Sequence, residues 1–347
     1  AEVLTEVQFN DFNCPLVGNT EAKIMEKDRI AYLDFVKFVA IFLVCVGHCY
    51  VMTPNLDSIV RPIIYSFHMP LFMLVCGYFS TRSLEIPVKS LLEKKSRQLL
   101  LPVISCTIMT VCLFGGGIRV EIIGCVWFLK NLFICYLIAR FVKYVKMPVE
   151  ITLPLSWVIL LIIPYGGTLM INFLYFYFCV GYLIHRHLDY LQTYKVFLFS
   201  ISLVFFIVAL CLNWTNPPEK VDINLLMYSP FKFILQVFVG LSGSIVVIGI
   251  CELIYKFLGK RQRVEKFLSY FSTIGRYTLG IYIVQTFIIE RLITVYIKLN
   301  EAILSPAFTD FIFIPLIGSA LCIVCYYVVR LTQPIKIINI LFYGGQK

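Results

Sequence analysis

Long runs of apolar residues, separated by short polar segments, fill almost the whole of the 347-residue chain. A hydrocarbon layer about 30 Å thick requires roughly 20 apolar residues for each helix that crosses it. The hydropathy pattern therefore predicts about ten membrane-spanning helices. Their approximate ranges are 30–51, 59–80, 98–116, 120–141, 151–165, 168–185, 196–213, 230–256, 272–297 and 308–330.

These ranges predict an all-α, polytopic integral membrane protein with little room for a soluble domain. One membrane domain, residues 29–332, is flanked by short tails at 1–28 and 333–347. The fifth helix is short and runs between Pro154 and Pro164, so we expect it to be broken or tilted. A hydrophobic content of 60% and a charged content of 14% are typical of the same class.

The Lys and Arg residues predict the orientation of the helices. With ten helices both termini lie on one side, and that side carries 21 of the 30 basic residues, against five on the other. The excess predicts cytoplasmic termini in a multi-pass protein of the plasma (inner) membrane. Attraction to anionic lipid headgroups explains the net charge of +10, so a nucleic-acid partner is not needed. An anionic soluble cofactor would be attracted by the same positive charge.

The cysteines do not indicate a metal site. Most of the 13 stand alone in apolar helices, where cysteine behaves as a small hydrophobic residue. Cys322 and Cys325 form the one CxxC pair, and a second pair to complete four soft ligands is missing from the sequence. We therefore predict that the protein holds no metal.

The first helix carries the most informative polar residues. Asp34, Lys37, Ile41, Val44 and His48 follow one another at spacings of three or four residues, so the three polar residues fall on one stripe of the helix. A rise of 1.5 Å per residue separates Lys37 from His48 by roughly 16 Å, so they serve different parts of one long ligand, or different ligands. An interfacial ion pair between Asp34 and Lys37 is an alternative for that pair, but it leaves His48 unexplained.

Other ionisable residues also fall at membrane depth, where each is costly unless it faces a cavity or a partner. In the second helix His68 precedes Pro70, and a kinked helix with a satisfied histidine is as compatible with this pattern as a functional site. The remaining residues of this kind are Lys130, Lys232, Arg276 and Glu290.

Several phrases extend the pattern of the first helix. The second helix contains FHMPLF, with His68, and then Gly77-Tyr78; KKSR, from Lys94 to Arg97, precedes the third helix; WFL begins at Trp127; and GRYTLGIYIVQT contains Tyr282 and Gln285. Together with Asp34, Lys37 and His48, these phrases resemble the acyltransferase 3 family, membrane enzymes that modify cell-surface glycans. Three departures are a lysine for the first arginine of the R-x-x-R element, Thr278 for a serine, and Gln285 where histidine is common.

The resemblance implies transfer of an acyl group, usually acetyl from acetyl-CoA, to a carbohydrate hydroxyl. His48 would be the general base or the acyl-accepting residue, because a neutral imidazole is the usual base for a hydroxyl. Asp34 would join the catalytic set by orienting Lys37. The CoA phosphates would be held by Lys37, Lys94 and Arg97. Substrate contacts would come from His68, Trp127, Tyr282, Gln285 and Arg276. Arg276 and Lys130 are further candidates for anion contacts, and helix packing is an open alternative for these residues.

Two rival classes remain open at this stage. A transporter or flippase of lipid-linked glycans also uses buried basic residues and histidines, although no pair of interrupted helices in corresponding halves is visible. A sensor or structural membrane protein is the second rival. The partners predicted for the enzyme are acyl-CoA, a carbohydrate acceptor and membrane lipids.

Overall fold

The structure, a computed structural model, describes residues 19–345 except 54–56, 164–168, 216–220, 260 and 294–304, with side chains from Tyr32 onward. Residues 1–18 of the predicted N-terminal tail lie outside this part. The described residues are helical with no strand, which confirms the all-α fold. The helices are α1 Asn19–Cys49, α2 Val60–Tyr78, α3 Val88–Lys95, α4 Leu101–Phe114, α5 Ile118–Gly124, α6 Trp127–Val142, α7 Val149–Ile162, α8 Ile171–Arg186, α9 Leu188–Cys211, α10 Ile223–Tyr228, α11 Pro230–Leu258, α12 Gln262–Gly275, α13 Thr278–Thr286, α14 Ile314–Thr332 and α15 Lys336–Tyr343.

Six helical stretches of the described chain are long and apolar enough to cross a membrane, which indicates a multi-pass membrane protein. A seventh is added if α5 and α6 form one bent span. All ten predicted ranges contain helix, but several of these helices are shorter than a full crossing. The total of ten spans and the side on which the termini lie remain predictions.

Helices α1 and α2 lie at the centre of the bundle, and α9 lies at its edge. In the most apolar window of each helix, 61% of the residues of α1 and of α2 are buried by protein, against 17% for α9. α9 is apolar on all sides because most of its surface faces lipid and not water. Functional side chains on α1 and α2 are therefore surrounded by other helices.

Glycines allow the central helices to pack backbone against backbone. A β-carbon at Gly77 of α2 would clash with the carbonyl of Phe178, and one at Gly181 of α8 would clash with the carbonyl of Leu74. Gly275, at the end of α12, lies in the same way against the Asp34 carbonyl of α1. Small residues at such crossings are the usual means of close helix packing in membranes. The contact at Gly275 brings the next residue, Arg276, beside α1.

Two of the predicted helices are broken. The fourth range consists of α5 and α6, which meet at an angle of 67°. Val126, at this break, has φ 42° and ψ 44°, a left-handed conformation that is strained for a β-branched residue. The ninth range consists of the end of α12, then α13, and then a π-helical segment, Phe287–Ile293.

The C-terminal segment folds back on the bundle. α15 packs against α4, and its Tyr343 is buried, with the hydroxyl 2.7 Å from Thr332 Oγ1. Gly344 and Gly345 follow with positive φ values of 67° and 72°. The predicted tail at 333–347 therefore includes a docked helix.

Asp310 joins the segment before α14 to the start of α2. Its buried carboxylate accepts hydrogen bonds from Tyr50 Oη (2.9 Å), Ser58 Oγ (2.6 Å), and the backbone N–H groups of Ile59 (2.9 Å) and Val60 (3.3 Å). A carboxylate at a helix N-terminus satisfies free N–H groups and interacts favourably with the helix dipole. Asp310 thus fixes the turn after α1, at the end where His48 lies.

We expect Asp310→Ala to lower the free energy of unfolding by about 3 kcal/mol or more, because it leaves several buried donors unsatisfied. Thermal unfolding in detergent measures the change. Asp222 caps α10 through one bond, to Leu225 N at 3.0 Å, so Asp222→Ala is a matched control with an expected loss of about 1 kcal/mol. Equal losses in the two variants would contradict the role given to Asp310.

Candidate active site

Asp34 holds two cations at one end of α1. Lys37 Nζ lies 2.9 Å from Oδ1, and Arg276 Nε lies 3.1 Å from Oδ2. The carboxylate is buried, whereas Lys37 is partly exposed and Arg276 is 62% exposed. Lys37 Nζ also lies 4.2 Å above the Phe79 ring. This cation cluster (Asp34, Lys37 and Arg276) carries a net positive charge and presents N–H donors outward, which suits an anion such as phosphate.

His48 meets a carboxylate at the other end of α1. Glu290 Oε1, in the π-helical segment after α13, lies 3.5 Å from His48 Nδ1; the His48 side chain is 17% exposed and that of Glu290 is 35% exposed. Catalytic hydrogen bonds are often long in unliganded enzymes and shorten when substrate binds. With Nδ1 facing the carboxylate, Nε2 of the neutral ring carries the lone pair. This His–Glu pair (His48 and Glu290) has the composition of a general base with its orienting group.

The cation cluster and the His–Glu pair connect the same two stretches of chain in register. Asp34 and His48 are 14 positions apart, and so are their partners Arg276 and Glu290. The two stretches therefore run parallel, with polar contacts at both ends. The helical rise places these contacts roughly 21 Å apart along α1. The middle of α1 between them is apolar, with Ile41 and Val44 buried.

His68 lies near His48 on the neighbouring helix. Tyr65 of α2 packs on α1, where its hydroxyl donates to the Gly47 carbonyl at 3.3 Å, and its ring lies 5.1 Å from the His68 ring. His68 Nδ1 lies 2.8 Å from the Ile64 carbonyl, and since a carbonyl only accepts, Nδ1 is the donor and Nε2 has the free lone pair.

The aromatic candidates lie at the junction of α6 and α13. Tyr282 Oη accepts a hydrogen bond from Phe128 N at 3.4 Å, and the two rings are 6.0 Å apart. Trp127 is the neighbour of Phe128 and is half-buried. Gln285 is fully buried; its Nε2 donates to Thr286 Oγ1 at 3.0 Å, while its Oε1 is without a partner. Tyr282 lies in α13, directly before the π-helical segment that carries Glu290 of the His–Glu pair.

Lys94 and Arg97 lie in a surface groove of about 360 Å³ and not in the cation cluster. The other lining residues are Ser90, Glu93, Gln98, Gly344 and Gly345, so the C-terminal glycines form one wall. Lys95, between the two candidates, has its Nζ 3.9 Å from the centre of the Tyr136 ring. The structure therefore adds Lys95, on the α6 side of this segment, to the basic candidates Lys94 and Arg97.

Lys130, a further candidate for anion contacts, is occupied by the helix break. Its Nζ donates to the carbonyls of Ile122, Ile123 and Cys125, at 2.6 Å for Ile122 and 3.0 Å for Cys125. These are free carbonyls at the end of α5, so Lys130 stabilises the 67° bend. This local role explains a basic residue at this depth without an anionic ligand.

The cysteines of the CxxC pair are buried in α14. Across the described part of the chain, no group of three or more His, Cys, Asp or Glu side chains is placed to hold a metal ion.

Sequence comparison assigns the chain to a family. The family model for an acyltransferase domain, acyltransferase 3, matches residues 30–330. The chain belongs to the acyltransferase 3 family. It is therefore a membrane O-acyltransferase, with an acyl donor and an acceptor substrate. The match covers both the cation cluster and the His–Glu pair.

Two curated relatives are similar over most of the chain. One is the nodulation protein NolL of Mesorhizobium japonicum, 26% identical over 300 residues, which are 74% of this chain and 76% of the relative. The other is the NolL protein of Sinorhizobium fredii, 25% identical over 249 residues, 62% of this chain and 66% of the relative. No solved structure matches the chain.

Proposed function

We propose that this membrane O-acyltransferase transfers acetyl from acetyl-CoA to a hydroxyl of a cell-surface or exported carbohydrate. The observation that carries the proposal is the pairing of α1 at both ends, with the cation cluster at Asp34 and the His–Glu pair at His48. The plasma (inner) membrane, with the cation cluster facing the cytoplasm, is the proposed location. The family names the reaction class, so acyl transfer is preferred to a glycan flippase without chemistry.

The length of the donor supports this assignment. The pantetheine arm of CoA has roughly twelve bonds between the thioester sulfur and the pyrophosphate, and an extended chain of that size spans roughly 14 Å. The interval between Lys37 and His48 is roughly 16 Å along the helix. A donor whose phosphates contact Lys37 and Arg276 would therefore bring its thioester near His48.

The chemistry at the thioester end would use His48 as a base. Nε2 takes the proton of the acceptor hydroxyl as its oxygen attacks the thioester carbonyl, and Glu290 stabilises the imidazolium that forms. Collapse of the tetrahedral intermediate breaks the carbon–sulfur bond, and the CoA thiolate takes up the proton. In the alternative route His48 Nε2 attacks the thioester first, and the carbon–sulfur bond breaks with release of the CoA thiolate. The acceptor hydroxyl then takes the acyl group from the imidazole, and its proton neutralises the thiolate.

The remaining candidates would bind the substrates around this axis. Lys95 would add to the positive charge that meets the CoA phosphates, while Lys94 and Arg97 would attract the donor from their surface groove. At the other end, Trp127 would stack on a sugar ring and His68 would contact the acceptor. Tyr282 packs against Phe128 and would help to position the substrates at this end.

Donor binding by Lys37 variants tests the proposal. We expect Lys37→Ala to weaken acetyl-CoA binding by roughly tenfold, because one charge-assisted contact is lost. Arg276 still holds Asp34, so the fold should persist. Lys195→Ala, which removes a surface lysine paired with Glu252 at 2.7 Å, is the matched control.

Thermal protection of the detergent-solubilised protein by acetyl-CoA gives the affinities, and labelled acetyl gives the turnover. A wild-type protein that neither binds nor consumes acetyl-CoA would exclude this donor. An equal loss of affinity in the Lys37 and Lys195 variants would contradict the role of the cation cluster.

A further inference from the structure

Asn131 is an unpaired polar side chain in the middle of the membrane domain. It lies in α6 with no exposed surface, and both carboxamide atoms, Oδ1 and Nδ2, have no hydrogen-bond partner. Burying an unpaired amide is costly, and the large majority of buried polar atoms in proteins have a partner. Ser244 of α11, for example, is equally buried but donates to the Gly240 carbonyl at 2.7 Å. The carboxamide of Asn131 thus retains its full capacity to bind a ligand.

The position of Asn131 along α6 is between the two ends of the site. Phe128, three residues before it, contacts Tyr282 at the thioester end. Tyr136, five residues after it, lies under Lys95 at the phosphate end. The helical rise places Asn131 roughly 4 Å from the level of Phe128 and roughly 8 Å from that of Tyr136.

The face of α6 that carries Asn131 is directed to the interior of the bundle. Phe128, Asn131 and Cys135 share this face through spacings of three and four residues. The Phe128 ring lies 5.8 Å from Phe72 of α2, and Phe79, just after α2, is the ring beneath Lys37 of the cation cluster. Asn131 therefore lies on the face of α6 that is turned towards α2 and α13, the helices that pack against α1.

We propose that Asn131 binds a secondary amide of the donor's pantetheine arm, an inference that rests on the proposed use of acetyl-CoA. The arm contains two such amides, each with one N–H and one C=O. A carboxamide is complementary to either side of this group, because Oδ1 can accept from an amide N–H and Nδ2 can donate to an amide C=O. The unpaired Oε1 of the buried Gln285 provides an acceptor for the second amide. The arm satisfies these atoms only when the donor is bound.

The test compares two ligands that differ in the arm. CoA carries the arm, whereas adenosine 3′,5′-bisphosphate retains charged phosphates and lacks it. We expect Asn131→Leu to weaken CoA binding roughly five- to tenfold in detergent titrations, the effect of one lost hydrogen bond with desolvation, and to leave bisphosphate binding unchanged. Asn131→Ala removes the amide without a bulky side chain. If leucine does not fit at this position, the alanine variant should still bind CoA more weakly relative to the bisphosphate.

Asn172 of α8 provides the control, because it is another buried asparagine whose Nδ2 is unpaired, but it lies beside Trp157 of α7. Asn172→Leu should change neither affinity. The inference is overturned if the Asn131 variants bind CoA as the wild type does, or if they weaken both ligands equally. A wild-type protein that binds no CoA would instead reject the proposed donor.

Discussion

Replacing His48 by alanine is expected to lower acyl transfer by about 10²- to 10⁴-fold, the usual contribution of a positioned general base. Affinity for acetyl-CoA should stay close to that of the wild type, because the donor's charge is held at the other end of α1, by Lys37 and Arg276. The loss should therefore appear in kcat and not in donor binding. Labelled acetyl transfer and thermal protection by acetyl-CoA measure the two quantities separately.

A second histidine provides the control for this prediction. His187 also lies near a glutamate, with Nε2 3.1 Å from Glu150 Oε1, but this pair is on the surface. His187→Ala should leave turnover unchanged. If His48→Ala keeps most of the wild-type activity, His48 is not the base, and His68, with its free Nε2, becomes the first alternative.

The local part of the site could be predicted from the sequence. Asp34, Lys37 and His48 lie on one helix, where spacing alone determines which side chains share a face. The same applies to His68 on α2. These residues needed no tertiary information, and the Asp34–Lys37 pair has the i, i+3 geometry that their spacing predicts.

The partners of these residues could not be assigned in the same way. Arg276 and Glu290 are separated from Asp34 and His48 by 242 residues, and helix order in space is not encoded in hydropathy. Glu290 stood out as an ionisable residue at depth, but without a role. The signal that was present is the equal spacing of 14 positions between the two polar residues on each stretch. It becomes meaningful only when the stretches are known to be parallel neighbours.

The helix break before Trp127 also could not be predicted from the sequence. The fourth range has the composition of one continuous helix, and a valine is among the least expected residues in a left-handed conformation. Lys130 offsets the cost by binding the carbonyls that the break exposes. From the sequence alone this lysine fits an anion contact, because the carbonyls that it binds come within reach only when the chain bends.

Glu290→Gln is expected to reduce kcat/KM by about 10- to 1000-fold, because the amide is uncharged and stabilises the imidazolium of His48 less. Glu290→Asp retains the charge at a greater distance and should recover part of the activity. Glu150→Gln, which alters the exposed pair with His187, should have no effect on turnover. Steady-state transfer of labelled acetyl gives the ratios.

The double variant decides whether Glu290 acts through His48. If the two residues form one catalytic unit, adding Glu290→Gln to His48→Ala causes almost no further loss, because the base that Glu290 orients is already gone. Losses that multiply would show that Glu290 works independently, for example by binding the acceptor. Arg291, the next residue, forms its ion pair with Glu121 of α5, whereas the Glu290 carboxylate lies against the imidazole of His48.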